Sequence, residues 1–101
     1  MGPCPVTPNK LDVSNLRMTT RIDGGVWSEG NVRDMYLNWG KLIEYISVSE
    51  TLYPGDFIGS GTVPGGCGAE LDRWLKPGDV IELEAEGIGL LRNQVVKDRD
   101  I

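Results

Sequence analysis

Two stretches of this 101-residue sequence hold residue types that could carry chemistry. The first is Gly59-Ser60-Gly61-Thr62-Val63-Pro64-Gly65-Gly66. Glycines let backbone N–H groups approach an anion closely, and the hydroxyls of Ser60 and Thr62 can donate. That combination suits a carboxylate, an enolate or a phosphate. It is not a dinucleotide fingerprint, because the third glycine comes one place late, Pro64 intrudes and no long helix follows. It is not a P-loop, because no Gly-Lys-Ser/Thr is present. A plain Gly-rich loop joining two strands is the simpler account. The second stretch is Glu82-x-Glu84-x-Glu86. Alternate strand residues share a face at about 6–7 Å spacing, so three carboxylates could hold a hard cation. The simpler account is a solvated strand face whose like charges discourage edge pairing.

Other candidates are narrower. Histidine is absent, which removes Ser-His-Asp and Cys-His catalysis from this chain. It also removes His-containing zinc sites, and two cysteines cannot build a four-cysteine site. Chemistry here falls to carboxylates, Lys, Tyr, hydroxyls or backbone amides. Asn31, Arg33 and Asp34 form a polar cluster after a glycine, suited either to a substrate or to capping a turn. Cys67 sits near glycines, but no histidine is available to lower its pKa, so a reactive thiol is a minor reading.

The elements that must position these residues follow from periodicity. Leu16, Met18, Thr20 and Ile22 alternate with Arg17, Thr19 and Arg21, the period of a half-buried strand. Asp23-Gly24-Gly25 is a hairpin signal, because both central positions want positive φ. Val26-Trp27-Ser28 is the expected return strand, and Glu29-Gly30-Asn31 a second turn. Trp39, Leu42, Ile43 and Ile46 fall at i, i+3, i+4 and i+7. They predict an amphipathic helix over roughly 38–49, with Asn38 as N-cap. Leu52-Tyr53-Pro54-Gly55-Asp56-Phe57-Ile58 is echoed 23 residues later by Leu75-Lys76-Pro77-Gly78-Asp79-Val80-Ile81. Pro-Gly suits the central positions of a type II turn, so each copy predicts a turn feeding a strand. Residues 69–75 suit one short helical turn. Ile81, Leu83 and Ala85 alternate with the three glutamates as a strand with one charged face. Gly87 and Gly89 mark a bend or bulge, and Leu90 to Val96 a last strand. The sum is a mostly β domain of five or six strands with one main helix. An extended segment occupies 1–15, the domain 16–97, and a frayed tail 98–101.

Composition bounds the partners. The length is one domain's worth. The net charge is −5 with no basic run, which disfavours nucleic acid and anionic membrane surfaces. No apolar run approaches the ~20 residues of a membrane span. The N-terminus has neither the charge nor the apolar run of a secretory signal, and Gly2-Pro3 does not fit myristoylation. Cys4 and Cys67 therefore read as free thiols of a cytoplasmic protein.

Five motifs occur in order: Gly30-Asn31-Val32-Arg33-Asp34-Met35, Leu-Tyr-Pro-Gly-Asp, Gly59-Ser60-Gly61-Thr62, Leu-Lys-Pro-Gly-Asp, and Glu86-Gly87-Ile88-Gly89-Leu90-Leu91-Arg92-Asn93. Together they resemble the C-terminal half of the catalytic domain of the fumarylacetoacetate hydrolase family, from about Gly2 to Val96. The resemblance implies part of a mixed β-roll, usually in a homodimer. It implies a Mg²⁺- or Mn²⁺-dependent enzyme that cleaves C–C bonds of, decarboxylates, hydrates or isomerises 2-oxo or 1,3-dicarbonyl acids. The metal there acts as a Lewis acid on the chelated oxo-acid. Carried over residue by residue, Thr62 would place its hydroxyl against the substrate carboxylate and Gly61 would shape the loop. Asn31 matches the family's Gly-Asn turn and receives no role. Val32 and Arg33 depart from the usual Thr-Ser, and Val63 replaces the commoner Pro.

The family's Glu-x-Glu and Asp metal ligands, its catalytic Lys and the His–Glu pair of some members lie upstream of the matched region. Glu82-x-Glu84 imitates the ligand spacing on a different strand, so no metal ligand and no catalytic residue is assigned here. The resulting expectation is a piece of such an enzyme, silent alone, that self-associates or binds a complementary fragment. The alternative is a non-catalytic binding or assembly module that has kept the fold.

Overall fold

A computed structural model describes residues 2–66 and 68–98 of the chain. Four strands form one antiparallel sheet: β1 (Arg17–Ile22), β2 (Gly25–Asn31), β3 (Val80–Ala85) and β4 (Gly89–Gln94). Their order is β2-β1-β3-β4. One helix, α1 (Trp39–Ser47), lies between the two hairpins in sequence. Short 3-10 turns occupy Pro8–Lys10, Val32–Asp34 and Gly68–Leu71. The fold is thus an α+β arrangement with one main helix, as the periodicity predicts. The tail beyond Asp98 lies outside the described residues.

The first hairpin follows its local chemistry. Ile22 pairs with Gly25, which leaves Asp23-Gly24 as a two-residue loop with φ of 51° and 84°. Both values are positive, as a type I′ turn requires. Asp23 also ties this turn to β3: its backbone N–H donates to Val80 O, and its Oδ1 accepts from Val80 N, both at 2.9 Å. Thr20 pairs with Ser28 but Arg21 with Val26, so Trp27 is the extra residue of a bulge.

The expected second turn at Glu29-Gly30-Asn31 is not formed. These residues continue β2 and pair with Thr19, Met18 and Arg17. The ladder runs on because β1 starts at Arg17 and offers those three residues as partners. The chain turns only afterwards, at Val32–Asp34.

The two Pro-Gly-Asp copies fold into the same turn and then part company. In the first, Asp56 N–H donates to Tyr53 O (3.1 Å), and Asp56 Oδ2 accepts from Tyr53 N (2.8 Å). In the second, Asp79 and Lys76 make the same two bonds at 3.1 and 2.8 Å. Gly55 and Gly78 sit at φ of 93° and 95°, the left-handed region that position three of a type II turn demands. The second copy is then latched to the end of β4: Gly78 N–H donates to Val95 O, and Val95 N–H to Asp79 O, both at 2.8 Å. It feeds β3. The first copy feeds no strand, so the expected count of five or six strands falls to four among the described residues. A strand needs a ladder, and among the described residues Phe57, Ile58 and Gly59 make no backbone hydrogen bond.

Helix α1 begins where its cap predicts. Asn38 Oδ1 accepts from Lys41 N at 2.8 Å. Trp39, Leu42 and Ile46 are half-buried, while Ile43 on the same stripe stays exposed.

Paired residues share a sheet face, so Met18, Thr20, Leu83, Ala85 and Leu91 lie on one side, and Thr19, Arg21, Glu82 and Glu84 on the other. Ile81 and Ala85 are half-buried, as the alternation of β3 predicts, but Leu83 is 45% exposed while Glu82 and Glu84 are half-buried. Arg21 spans diagonally to Glu84 (Nη1–Oε2, 3.0 Å) and satisfies the charged face. The apolar face is covered only in part, by loop residues 60–66 and by Pro3 and Pro5. Only Ile22 and Thr19 are buried among the described residues. The chain exposes 8025 Å², against about 5,700 Å² for a folded monomer of its mass. Its radius of gyration is 15.9 Å, against about 13 Å for a compact domain of this length. Roughly 2,300 Å² therefore stays exposed beyond what a self-sufficient globule of this mass leaves.

The two turns predict different costs. Asp79→Ala removes the partner of Lys76 N–H in a turn latched to two strands and should cost about 1 kcal/mol. Asp56→Ala removes the same bond from a turn that feeds no ladder. It should leave exchange protection of the β1 and β3 amides unchanged, as hydrogen exchange resolved by mass spectrometry will show.

Candidate functional site

The glycine-rich loop folds back over the apolar face of the sheet. Residues 60–64 and Gly66 roof a cavity of about 450 Å³. Its floor comes from Met18, Thr20, Leu83 and Ala85, and its far wall from Met35 and Trp39. The Trp39 ring is fixed by a bond from its Nε1–H to Val13 O (3.1 Å).

The loop is seated by one close approach. A Cβ placed on Gly30 would lie 2.5 Å from Val63 Cγ1, so glycine alone lets Val63 reach the strand. Gly30, expected as a turn residue, is thus a contact residue in mid-strand. Val63 is the side chain that plugs the loop into the sheet. Gly61 and Gly65 lie at φ of 86° and 77°, and Gly66 N–H closes a turn on Val63 O (3.2 Å).

The two candidate hydroxyls separate in role. Ser60 Oγ donates to Gly61 O at 3.2 Å, so its proton is used within the loop. Thr62 is exposed, lines the cavity, and makes no hydrogen bond among the described residues. Its hydroxyl is available to a ligand. Gly61 lines the same cavity beside it. The walls are otherwise mostly apolar, so an acid docked here would find a donor at one end and hydrocarbon around the rest.

The polar cluster after Gly30 serves structure. Asn31 Oδ1 accepts from Arg33 N (3.0 Å) and caps the Val32–Asp34 turn, while its Nδ2 donates to Asn15 Oδ1 (2.8 Å). Arg33 and Asp34 are exposed at the surface. Cys67 lies outside the described residues, whereas Cys4 is an exposed free thiol.

The residues present do not fit a divalent metal. Glu84 is engaged by Arg21, and Glu86 Oε2 accepts weakly from Arg17 N at 3.4 Å. Among the described residues, no group of three His, Cys, Asp or Glu side chains converges as a cation would need. No helix among them is long and apolar enough to cross a membrane.

Comparison with known proteins accounts for this arrangement. Residues 1–96 match the family model described as fumarylacetoacetate (FAA) hydrolase C-terminal. A 2,4-didehydro-3-deoxy-L-rhamnonate hydrolase of Sphingomonas sp. is 40% identical over all of this chain and 36% of its own length. An uncharacterized protein of Methanocaldococcus jannaschii is 41% identical, over 96% of this chain and 39% of its own. The crystal structure of the fumarylacetoacetate hydrolase of Exiguobacterium antarcticum superposes with a TM-score of 0.75 at 32% identity, covering 92% of this chain and 34% of that one. A 5-carboxymethyl-2-hydroxymuconate delta-isomerase of Mycobacterium smegmatis gives 0.68 at 34% identity, covering 87% and 33%. The chain belongs to the fumarylacetoacetate hydrolase family, and it spans little more than a third of the length of these relatives.

The Gly30–Val63 contact makes a measurable demand. Gly30→Ala should push Val63 off the sheet and speed amide exchange across residues 59–66, leaving β1 and β3 protected. Val63→Ala alone removes the obstacle, so the double variant should exchange more slowly in the loop than Gly30→Ala. The two changes should couple by about 1 kcal/mol. Additive effects would show that the contact does not seat the loop.

Proposed function

We propose that this chain is the substrate-loop portion of a fumarylacetoacetate hydrolase-family enzyme acting on small 2-oxo or 1,3-dicarbonyl acids. Thr62 supports the reading best. It is an unpaired hydroxyl at the edge of an apolar cavity, on a loop seated by the Gly30–Val63 contact. Two of these relatives, a hydrolase and an isomerase, act on molecules named as carboxylates, a rhamnonate and a muconate. In the proposed reaction Thr62 Oγ donates to the substrate carboxylate and fixes which end of the acid enters first. Gly61 keeps the backbone beside it open to a planar group. Met18, Leu83 and Trp39 exclude water from the carbon skeleton.

In this reading the ligands of the Mg²⁺ or Mn²⁺ that the family resemblance implies, and the proton-transfer groups, belong to polypeptide beyond these 101 residues, which would complete the β-roll and the usual dimer. The free thiol of Cys4 accords with a reducing, cytoplasmic setting. The exposed area supports a piece of a larger unit over a self-standing binding module, since a module would bury its own apolar face.

The test is turnover of a 2-oxo acid with Mg²⁺. The 101-residue chain alone should give none, and calorimetry with Mg²⁺ and oxalate should give no heat of micromolar binding. Joined to the upstream portion of a relative, it should turn over. There Thr62→Ala should lower kcat/KM by roughly 10–100-fold, the worth of a hydrogen bond to a charged group, mainly through KM. Thr62→Ser should retain most activity. Unchanged kinetics in Thr62→Ala would remove the carboxylate role. Micromolar metal binding by the chain alone would overturn the partial-enzyme reading.

A further inference from the structure

The cavity under the glycine-rich loop is lined without a single charge. Its apolar side chains include Met18, Met35, Trp39, Leu83 and Ile88. Its polar side chains are Thr20, Ser28, Ser60 and Thr62, all neutral hydroxyls. Among the described residues no Lys, Arg, Asp or Glu lines it. Cations are nevertheless close in sequence. Arg17 and Arg21 flank Met18 and Thr20 on β1, and Arg33 follows Val32. Strand alternation turns both β1 arginines to the opposite face of the sheet. There Arg17 meets Glu29 at 3.9 Å and Arg21 meets Glu84 at 3.0 Å. Arg33 is exposed and lies outside the cavity lining. The wall residue Trp39 is neutral in a second sense. Its Nε1–H is the indole's only hydrogen-bond donor, and it is already given to Val13 O. What the ring offers the cavity is therefore hydrocarbon and a π face.

We propose that this cavity selects acids whose far end is uncharged, and that Trp39 and Met35 are the residues that set the preference. The inference rests on the functional reading above and adds the substrate class: a monocarboxylate with an alkyl or aryl tail. Neutral oxygens on that tail can be met by Thr20 and Ser28, which pair across β1 and β2. An acid that enters with its carboxylate at Thr62 must lay its remaining carbons against these walls. A second carboxylate at the far end would leave water for thioether, indole and alkyl groups, with no cation to pair it. Such a charge costs more than the surrounding contacts return. An alkyl tail gains from the same transfer, and an aryl tail can also pack against the indole. Trp39 limits length as well, because the bond to Val13 holds the ring in place.

The experiment compares two acids of equal length on the full chain joined, as above, to the upstream portion of the Sphingomonas hydrolase. One is 2,4-dioxooctanoate, whose tail ends in a methyl group. The other is 2,4-dioxooctanedioate, whose tail ends in a carboxylate. The first should be preferred at least about 100-fold in kcat/KM, chiefly through KM. Met35→Lys puts an amine on the same wall. It should raise kcat/KM for the dioate at least tenfold while lowering it for the alkyl acid, a reversal that loss of structure does not produce. Trp39→Ala should raise kcat/KM for 2,4-dioxodecanoate relative to 2,4-dioxooctanoate by about tenfold. Equal use of the two eight-carbon acids would overturn the inference and leave the functional reading standing. A preference that neither variant changes would overturn the assignment to Met35 and Trp39. If the joined protein turns over neither acid, the functional reading falls, and NMR of the indole N–H groups in the 101-residue chain decides the inference. A Trp39 signal moved by the alkyl acid and not by the dioate would uphold the cavity's selectivity. A signal moved by both, or by neither, would overturn it.

Discussion

Strand β1 is hydrogen-bonded along both edges, and the rest of the chain is held by reference to it. Its six residues pair with β2 on one side, and five of them with β3 on the other. That double ladder brings Gly30 and Leu83 to opposite flanks of Met18 and Thr20, although the two lie more than fifty residues apart in sequence. It also explains why the buried residues are Thr19 and Ile22, both on β1. A central strand is shielded by its neighbours even where no second layer lies on the sheet.

The missing second layer shapes everything else. An antiparallel sheet can leave one face in water when that face is polar. Here the polar face is the better satisfied one, through Arg21 and Glu84, and the apolar face is open. The glycine loop covers only part of it and leaves two cavities that share Met18, Thr20, Leu83, Ala85 and Ile88. A surface of this kind is costly for a lone chain.

The loop shows how little is needed to place a hydroxyl at a cavity edge. Gly30 lacks a Cβ, Val63 occupies the room this leaves, and Thr62 is held beside it at the cavity edge. A stiff, β-branched side chain suits that task, because χ1 has few alternatives.

Local chemistry alone determined the Asp23-Gly24 hairpin, the Asn38 cap, the helix stripe and both Pro-Gly-Asp turns, since each depends on residues within a few places of one another. The order of five short motifs was enough to identify the family. Sequence could not distinguish Gly30 as a contact from Gly30 as a turn, because the difference lies in Val63, 33 residues away. Nor could it tell that Ser60 would turn to Gly61 O while Thr62 stayed unpaired, or that Leu83 would be more exposed than Glu84. Those outcomes depend on what stands opposite each residue, and on whether a second layer is present to cover it. The identical turns before Phe57 and Val80 put the point most sharply: a turn launches an extended chain, but only a neighbouring backbone makes it a strand.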